Sequence, residues 1–386
     1  MKILILNWRD VKHPDAGGAE LHVQEIASRW ARLGHEVTLF CSSFHGSPEQ
    51  EMIGGVRVCR SGSKYTIYLS SIRKLISTRR SGGFDVIFES INTIPFFSPL
   101  FSKCPVVGQI YSIENRSVLF HEMKWYMLPM AAVAYAISSM IPRIYKKCHV
   151  TTISQSSKEA LVKSGFEEKK VHVAYPGVSS LWMKIVGVDN REFKENRPET
   201  TIVYLGRVKK YKGIQDILRA IPEIKREIPN IKLRIVGRGD FEQDLREIVK
   251  SLGIQDYIEF CGFVSEEHKA EILKSSSLYV CTSLDEGGWT IAAVEAMSAG
   301  VPVLVSESQK DVVNDGKNGV LLASADPKVI AREVVTMLSD KSNWEIYSSN
   351  AKQFSKQFTW ENTANATLCV LEEAVHRQAS DKQVVR

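Results

Sequence analysis

What most constrains this chain is a rhythm that runs along it twice: short apolar runs of strand length, each followed by a stretch with helical spacing. The first pass begins with an apolar run at 2–6. Residues 19–33 then place Leu21, Ile26, Trp30 and Leu33 at helical intervals before Gly34 stops them, and 36–41 resumes as a strand. Further apolar runs at 56–59, 85–88, 105–110, 150–153 and 171–174 continue the pattern, with helical stretches near 69–76 and from Ser156. Such alternation implies a mostly parallel sheet covered by helices on both faces.

Between Pro176 and Thr200 the rhythm dissolves into a polar stretch, charged toward its end and closed by Pro198. A second series follows at 201–205, 232–236, 257–260, 278–281, 301–305 and 320–322, and 342–377 reads as terminal helices without proline or glycine. At roughly 150 residues per domain, 386 residues make two domains. The expected architecture is α/β, with one Rossmann-like doubly wound domain over 1–180 and a second over 200–359. A terminal helix over about 360–386 is expected to pack back on the first.

Composition excludes whole classes: 44% hydrophobic and 24% charged residues describe an ordinary globular chain, not a fibrous or disordered one. The seven cysteines are odd in number, scattered through apolar segments, and form no Cys-x-x-Cys pair, so they read as reduced core residues of a cytoplasmic protein. MKILILNWRD turns polar too early for a signal peptide. Charge is uneven: residues 1–180 hold 22 Lys+Arg against 14 Asp+Glu, and 181–386 hold 28 against 30. With no run of like charges and no nucleic-acid motif, the basic half points to an anionic membrane surface or an acidic substrate, and no nucleic acid is expected. Residues 125–142 are eighteen uncharged residues, but Pro129, Ser138, Ser139 and Pro142 dilute them. They read as a buried helix, with membrane contact as the second reading.

In open α/β sheets ligands bind where strand carboxyl ends lead into helices. The first such loop ends at Gly17 and Gly18, whose backbone amides at a helix start suit a phosphate. It lacks G-x-G-x-x-G, so the dinucleotide fingerprint of an oxidoreductase is missing. The second domain opens with YLGRVKKYKG, in which Gly206 and Gly213 bracket Arg207 and Lys212. A guanidinium fork and an ammonium are what a diphosphate leaving group needs as its charge grows. A third stretch, SLDEGGWTIAAVEAM, follows a strand with Glu286, Gly287, Gly288, Trp289 and Thr290, then sets Glu295 alone in an apolar helix. Two carboxylates so placed suit hydroxyl groups, while the amides of 288–290 suit phosphate. Burying Glu295 demands a partner in any case.

With GGAE at the first helix, GRV-x-x-x-KG at the second domain, VGRG after 233–236, and EGGWTIAAVEAMSAGVPVL, the chain resembles the retaining nucleotide-sugar glycosyltransferases of GT-B architecture, glycosyltransferase family 4. The resemblance implies two Rossmann-like domains facing a cleft, the second holding the donor. It implies that Arg207 and Lys212 bind the diphosphate, Glu286 the transferred sugar and Glu295 the ribose. Gly206, Gly237 and 288–290 would lie along the donor, with Gly17 and Gly18 facing its phosphates from the other domain. Glu286 and Glu295 are separated by eight residues, one more than the family's usual spacing, and the histidine many members carry after the fourth strand is replaced by Tyr111-Ser112-Ile113. No Asp-x-Asp is present, so neither a metal nor another cofactor is expected. The expected activity is metal-independent hexosyl transfer with retention, to a lipid-linked or cell-envelope saccharide, at the inner membrane face. The alternatives are a nucleotide-sugar epimerase or hydrolase on the same scaffold, or a non-catalytic nucleotide-sugar binder.

Overall fold

The computed structural model describes residues 1–81, 83–92, 94–111, 139–187, 200–284 and 287–384. It divides into two units, Met1–Pro176 with Trp360–Arg386, and Gly177–Thr359.

The first unit is built on an eight-stranded sheet in the order β3-β4-β2-β1-β5-β6-β7-β8. Its strands are β1 (Lys2–Leu6), β2 (Glu36–Cys41), β3 (Gln50–Ile53), β4 (Val56–Arg60), β5 (Val86–Ile91), β6 (Val106–Ile110), β7 (His149–Thr152) and β8 (Val171–Val173). All pairings are parallel except β3 with β4, a hairpin turned by Gly54 and Gly55 at φ 58° and 83°. Two consecutive left-handed residues give the tight turn that matches strand twist, which is why glycine stands at both. The sequence rhythm missed β3 because its QEMI segment is neither apolar nor alternating. β5 and β6 are buried at every residue, as central parallel strands must be.

Helices α1 (Gly18–Arg32), α2 (Ile67–Ser81), α3 (Ser98–Phe101) and α4 (Gln155–Lys163) join these strands. The last helix of the chain, Trp360–Val384, also belongs to this unit and packs on α1, β5, β6 and β7. There Trp30, fully buried, donates its indole N–H to the Ala364 carbonyl at 2.9 Å, and Arg29 pairs with Glu361 at 2.8 Å.

The second unit holds a wholly parallel six-stranded sheet, β11-β10-β9-β12-β13-β14. These are β9 (Thr200–Leu205), β10 (Ile231–Val236), β11 (Ile258–Gly262), β12 (Leu278–Cys281), β13 (Val303–Ser306) and β14 (Gly319–Leu322). Its helices are α5 (Ser180–Val186), α6 (Ile214–Glu227), α7 (Glu242–Ser251), α8 (Glu266–Ser275), α9 (Ile291–Ser298), α10 (Pro327–Ser339) and α11 (Lys341–Ser355), which makes Trp360–Val384 α12. The unit begins at Gly177, earlier than the expected boundary at 200, because α5 lies inside the polar stretch and buries Trp182. That indole donates to Ser298 Oγ at 2.7 Å, and Lys274 reaches the Ile185 carbonyl at 2.8 Å. Chain entry and exit meet here: Val178 donates to the Phe358 carbonyl at 3.0 Å, and a Cβ on Gly177 would fall 2.5 Å from that carbonyl.

Among the described residues no helix is long and apolar enough to cross a membrane. Most of the uncharged segment, residues 125–138, lies outside them.

Candidate functional site

In the second unit the loops after β9, β10 and β12 close on one another backbone to backbone. The loop after β9 runs through Gly206 to Gly213, where α6 begins with φ 73°. A Cβ on Gly213 would stand 2.4 Å from both the carbonyl and the Oγ1 of Thr282, whose hydroxyl donates back to Gly213 at 2.8 Å. Gly237, at φ 135°, lies so close to the Gly206 carbonyl that a Cβ would approach it to 1.9 Å. The amides of Gly206 and Gly237 are already committed, to Val236 at 2.9 Å and Gly262 at 2.8 Å. These glycines therefore let two loops pack, and their amides are not aimed at a ligand.

This packing fixes the basic pair. Arg207 is exposed and donates to the Tyr211 hydroxyl at 3.1 Å, while the Lys212 ammonium sits 5.0 Å from the Tyr211 ring centre. The Tyr211 carbonyl in turn accepts the Leu284 amide at 2.9 Å, which ties the loop carrying Arg207 and Lys212 to the loop that leads into α9. Lys209 is diverted to Asp240 at 2.6 Å, and that ion pair holds the Asp240 carboxyl below its usual range.

The loop after β12 is also pinned to the strand beyond. Ser306 and Ser308 donate to the Ser283 carbonyl at 2.5 and 2.7 Å. The Gly288 amide donates to the Ser308 carbonyl at 2.8 Å, so it is spent on this loop and not held for phosphate. The Trp289 indole is buried edge-on against Phe358 at 4.5 Å, leaving its backbone as the part that could meet a ligand. Thr290 caps α9 with extended φ but no side-chain hydrogen bond, and the first amides of α9 lack intrahelical acceptors. Glu286 lies outside the described residues.

Glu295 points from α9 to a partner the sequence did not reveal, Lys269 of α8, at 2.7 Å. Both side chains are largely buried, 15% and 13% exposed. Burial pushes the Glu295 carboxyl up and Lys269 pulls it back; burial opposes charge on Lys269, yet Glu295 and Glu266 together raise its pKa. The ammonium also stacks over Trp182 at 4.7 Å, and Ser298 links that indole to the Glu295 carbonyl. Lys269 uses Oε1. Oε2 has no hydrogen bond among the described residues, so one oxygen remains for a ligand hydroxyl.

In the first unit the glycine loop is anchored from below. Asp10 and Arg60, both with fully buried side chains, pair at 2.7 Å, Glu51 adds a second carboxylate to Arg60 at 2.5 Å, and Arg9 holds the Asp15 carbonyl at 2.7 Å. Gly17 is exposed and gives its amide to Glu20 at 2.7 Å, a capping bond that removes it as a phosphate donor here. Gly18 opens α1 with nothing within 4 Å of a would-be Cβ, so the fold gives no reason for glycine there. One turn on, His22 is buried between Tyr111 and Trp360 with neither ring nitrogen hydrogen-bonded among the described residues, and burial drives its pKa down to about 3. Tyr111, in place of the family's histidine, donates to the Ala19 carbonyl at 3.3 Å. The rest of that loop lies outside the described residues.

Comparison with known proteins defines the class. The family model for glycosyltransferase family 4 matches residues 16–180, and that for glycosyl transferases group 1 matches 188–354. An uncharacterized glycosyltransferase of Methanocaldococcus jannaschii is 27% identical over 97% of this chain and 99% of its own length. A phosphatidyl-myo-inositol mannosyltransferase of Mycolicibacterium smegmatis is 24% identical over 89% of this chain and 87% of its own length. Among solved structures, sucrose-phosphate synthase of Thermosynechococcus elongatus superposes with a TM-score of 0.74 at 17% identity, covering 96% of this chain and 98% of that one. Anabaena HepE, solved with UDP and glucose, gives 0.70 at 18% identity, covering 97% and 100%. The fold is GT-B. The chain belongs to glycosyltransferase family 4, and its activity is glycosyl transfer.

Proposed function

We propose that the chain is a retaining glycosyltransferase that moves a sugar from a nucleoside-diphosphate sugar to a hydroxyl of a lipid-linked or cell-envelope saccharide, needing neither metal nor cofactor. The observation that carries this reading is the hydrogen bond from Leu284 to Tyr211, which brings the Arg207–Lys212 loop against the loop entering α9. Two cations on one loop and a helix N-terminus beyond the next would suit a diphosphate leaving group. Glu295 offers Oε2 to a ribose hydroxyl, and Glu286 is assigned to the transferred sugar. The bond from sugar C1 to the diphosphate oxygen breaks, the acceptor oxygen bonds to C1 on the same face, and the acceptor proton passes to the departing phosphate. Relatives named as mannosyltransferases of phosphatidyl-myo-inositol, and neighbours solved with UDP and UDP-glucose, support the donor and acceptor classes.

Arg207→Ala and Lys212→Ala are each expected to lower kcat/KM by about 100-fold or more with an unchanged circular dichroism spectrum. Full turnover in both variants overturns the assignment. Thermal shift with uridine, guanosine and adenosine diphosphate sugars identifies the base.

A cytoplasmic site of action at the inner membrane face rests on the first unit, with 25 Lys+Arg against 18 Asp+Glu. On α2, Leu69 and Ile76 are 60% and 43% exposed with Arg73 exposed between them, an apolar and basic stripe suited to an anionic bilayer surface. Leu69→Glu with Ile76→Glu should abolish sedimentation with phosphatidylglycerol vesicles, and unchanged sedimentation refutes the membrane contact.

A further inference from the structure

At the edge of the first sheet two imidazoles and a carboxylate meet. His149 opens β7, and His172 lies on β8 opposite Thr151. Because strand side chains alternate, His149 and Thr151 share a face, which puts both histidines on the same side of the sheet. α12 covers that side and supplies Glu373. His149 Nδ1 and His172 Nε2 are 3.0 Å apart, and the three ligand atoms all lie within 4.8 Å of one another.

We propose that His149, His172 and Glu373 form a binding site for a divalent cation of the zinc class, which pins the returning helix α12 to the β7–β8 edge. Tetrahedral zinc, with bonds of about 2.0–2.2 Å, needs ligand atoms about 3.4 Å apart. The two nitrogens must therefore open by a few tenths of an ångström and the carboxylate must close in, which side-chain rotation supplies. Burial lowers the pKa of both imidazoles, against the pull of Glu373. Each keeps its single proton on the far ring nitrogen when the near one binds metal. Arg377 holds Glu373 at 2.6 Å, orienting the carboxylate but competing for it. Lys158 and Lys170 also face the pair, Lys170 being neutralised by Glu167 at 3.1 Å. Two imidazoles and one carboxylate favour zinc, copper or nickel over magnesium or calcium, which want oxygen. Three protein ligands leave the fourth position to water.

The test uses the full chain, dialysed against chelator and then against zinc chloride, with elemental analysis and thermal unfolding as readouts. About one zinc per chain and a raised Tm are expected, with no shift from magnesium. His172→Gln and Glu373→Gln, at partly exposed positions, should each weaken zinc binding beyond the about 10–100-fold that losing an outer-shell partner costs. Arg377→Gln should strengthen it by freeing the carboxylate. The chain's free cysteines are the competing site. Cobalt substitution separates the two, since nitrogen and oxygen ligands give visible bands without the near-ultraviolet thiolate band. No bound zinc, binding unchanged in His172→Gln, or a thiolate band would each overturn the proposal.

Discussion

A carboxylate set in the apolar helix α9 must be paired or lose its charge, and Glu295 finds Lys269 26 residues back in the chain. Removing one member of a mostly buried pair strands the other. Lys269→Met should therefore cost about 3–5 kcal/mol near neutral pH. The sign of the pH dependence follows from the raised carboxyl: between its ordinary value of 4.5 and its higher folded value the native state holds more protons than the unfolded one, so stability falls as pH rises. Without Lys269 that window extends upward. The destabilisation of Lys269→Met, followed as Tm against pH, should be smallest below pH 4.5 and grow toward neutrality. A constant offset across pH would mean that Lys269 acts only by packing over Trp182. No local pattern could have found this pair, because an ordinary lysine in a polar helix carries no mark of its distant partner.

At the scale of elements, the sequence legibly marked where loops leave the second sheet but not why glycine stands in them. Gly206 and Gly237 follow strand ends and Gly213 opens α6, and for Gly206 and Gly237 the natural reading is ligand approach. In the fold they serve loop-on-loop packing: Gly213 fits only because Thr282 leaves no room for a Cβ, and its φ of 73° excludes most side chains. Gly18 is the opposite case, with ordinary backbone and open space. Gly213→Ala should thus destabilise the second unit by about 2–4 kcal/mol, combining left-handed strain with steric overlap. Gly18→Ala should leave the unfolding free energy within about 0.5 kcal/mol of the parent, since surface changes away from such features cost little. If Gly18→Ala nonetheless lowers kcat/KM, the residue faces substrate; if it changes neither stability nor turnover, the donor does not approach this helix.

At the scale of the molecule, the parallel βα rhythm was enough to read two doubly wound units, because buried central strands leave continuous apolar runs. What it concealed was where the second unit begins: at Gly177, since α5 buries Trp182 within a stretch too polar to suggest structure. The last helix, α12, belongs to the first unit. That return matters physically: Trp30 is fully buried with its indole N–H on the Ala364 carbonyl, Arg29 pairs with Glu361, and Trp360 is itself buried. A chain ending at Thr359 would expose this face of α1, leave the Trp30 donor without its acceptor and strip Arg29 of Glu361, leaving it paired with Glu25. The loss should exceed the about 3–5 kcal/mol of a single large-to-small aromatic replacement, enough to unfold a unit of ordinary stability. The second unit keeps all its strands and helices in Gly177–Thr359. Hydrogen exchange on the truncated chain should therefore show β1, β5 and β6 unprotected while β9, β10 and β12 stay protected. Thermal shift by nucleotide should survive. Uniform protection in both units would show that α12 covers the first sheet without stabilising it, and loss of protection in both would show that the two units unfold as one.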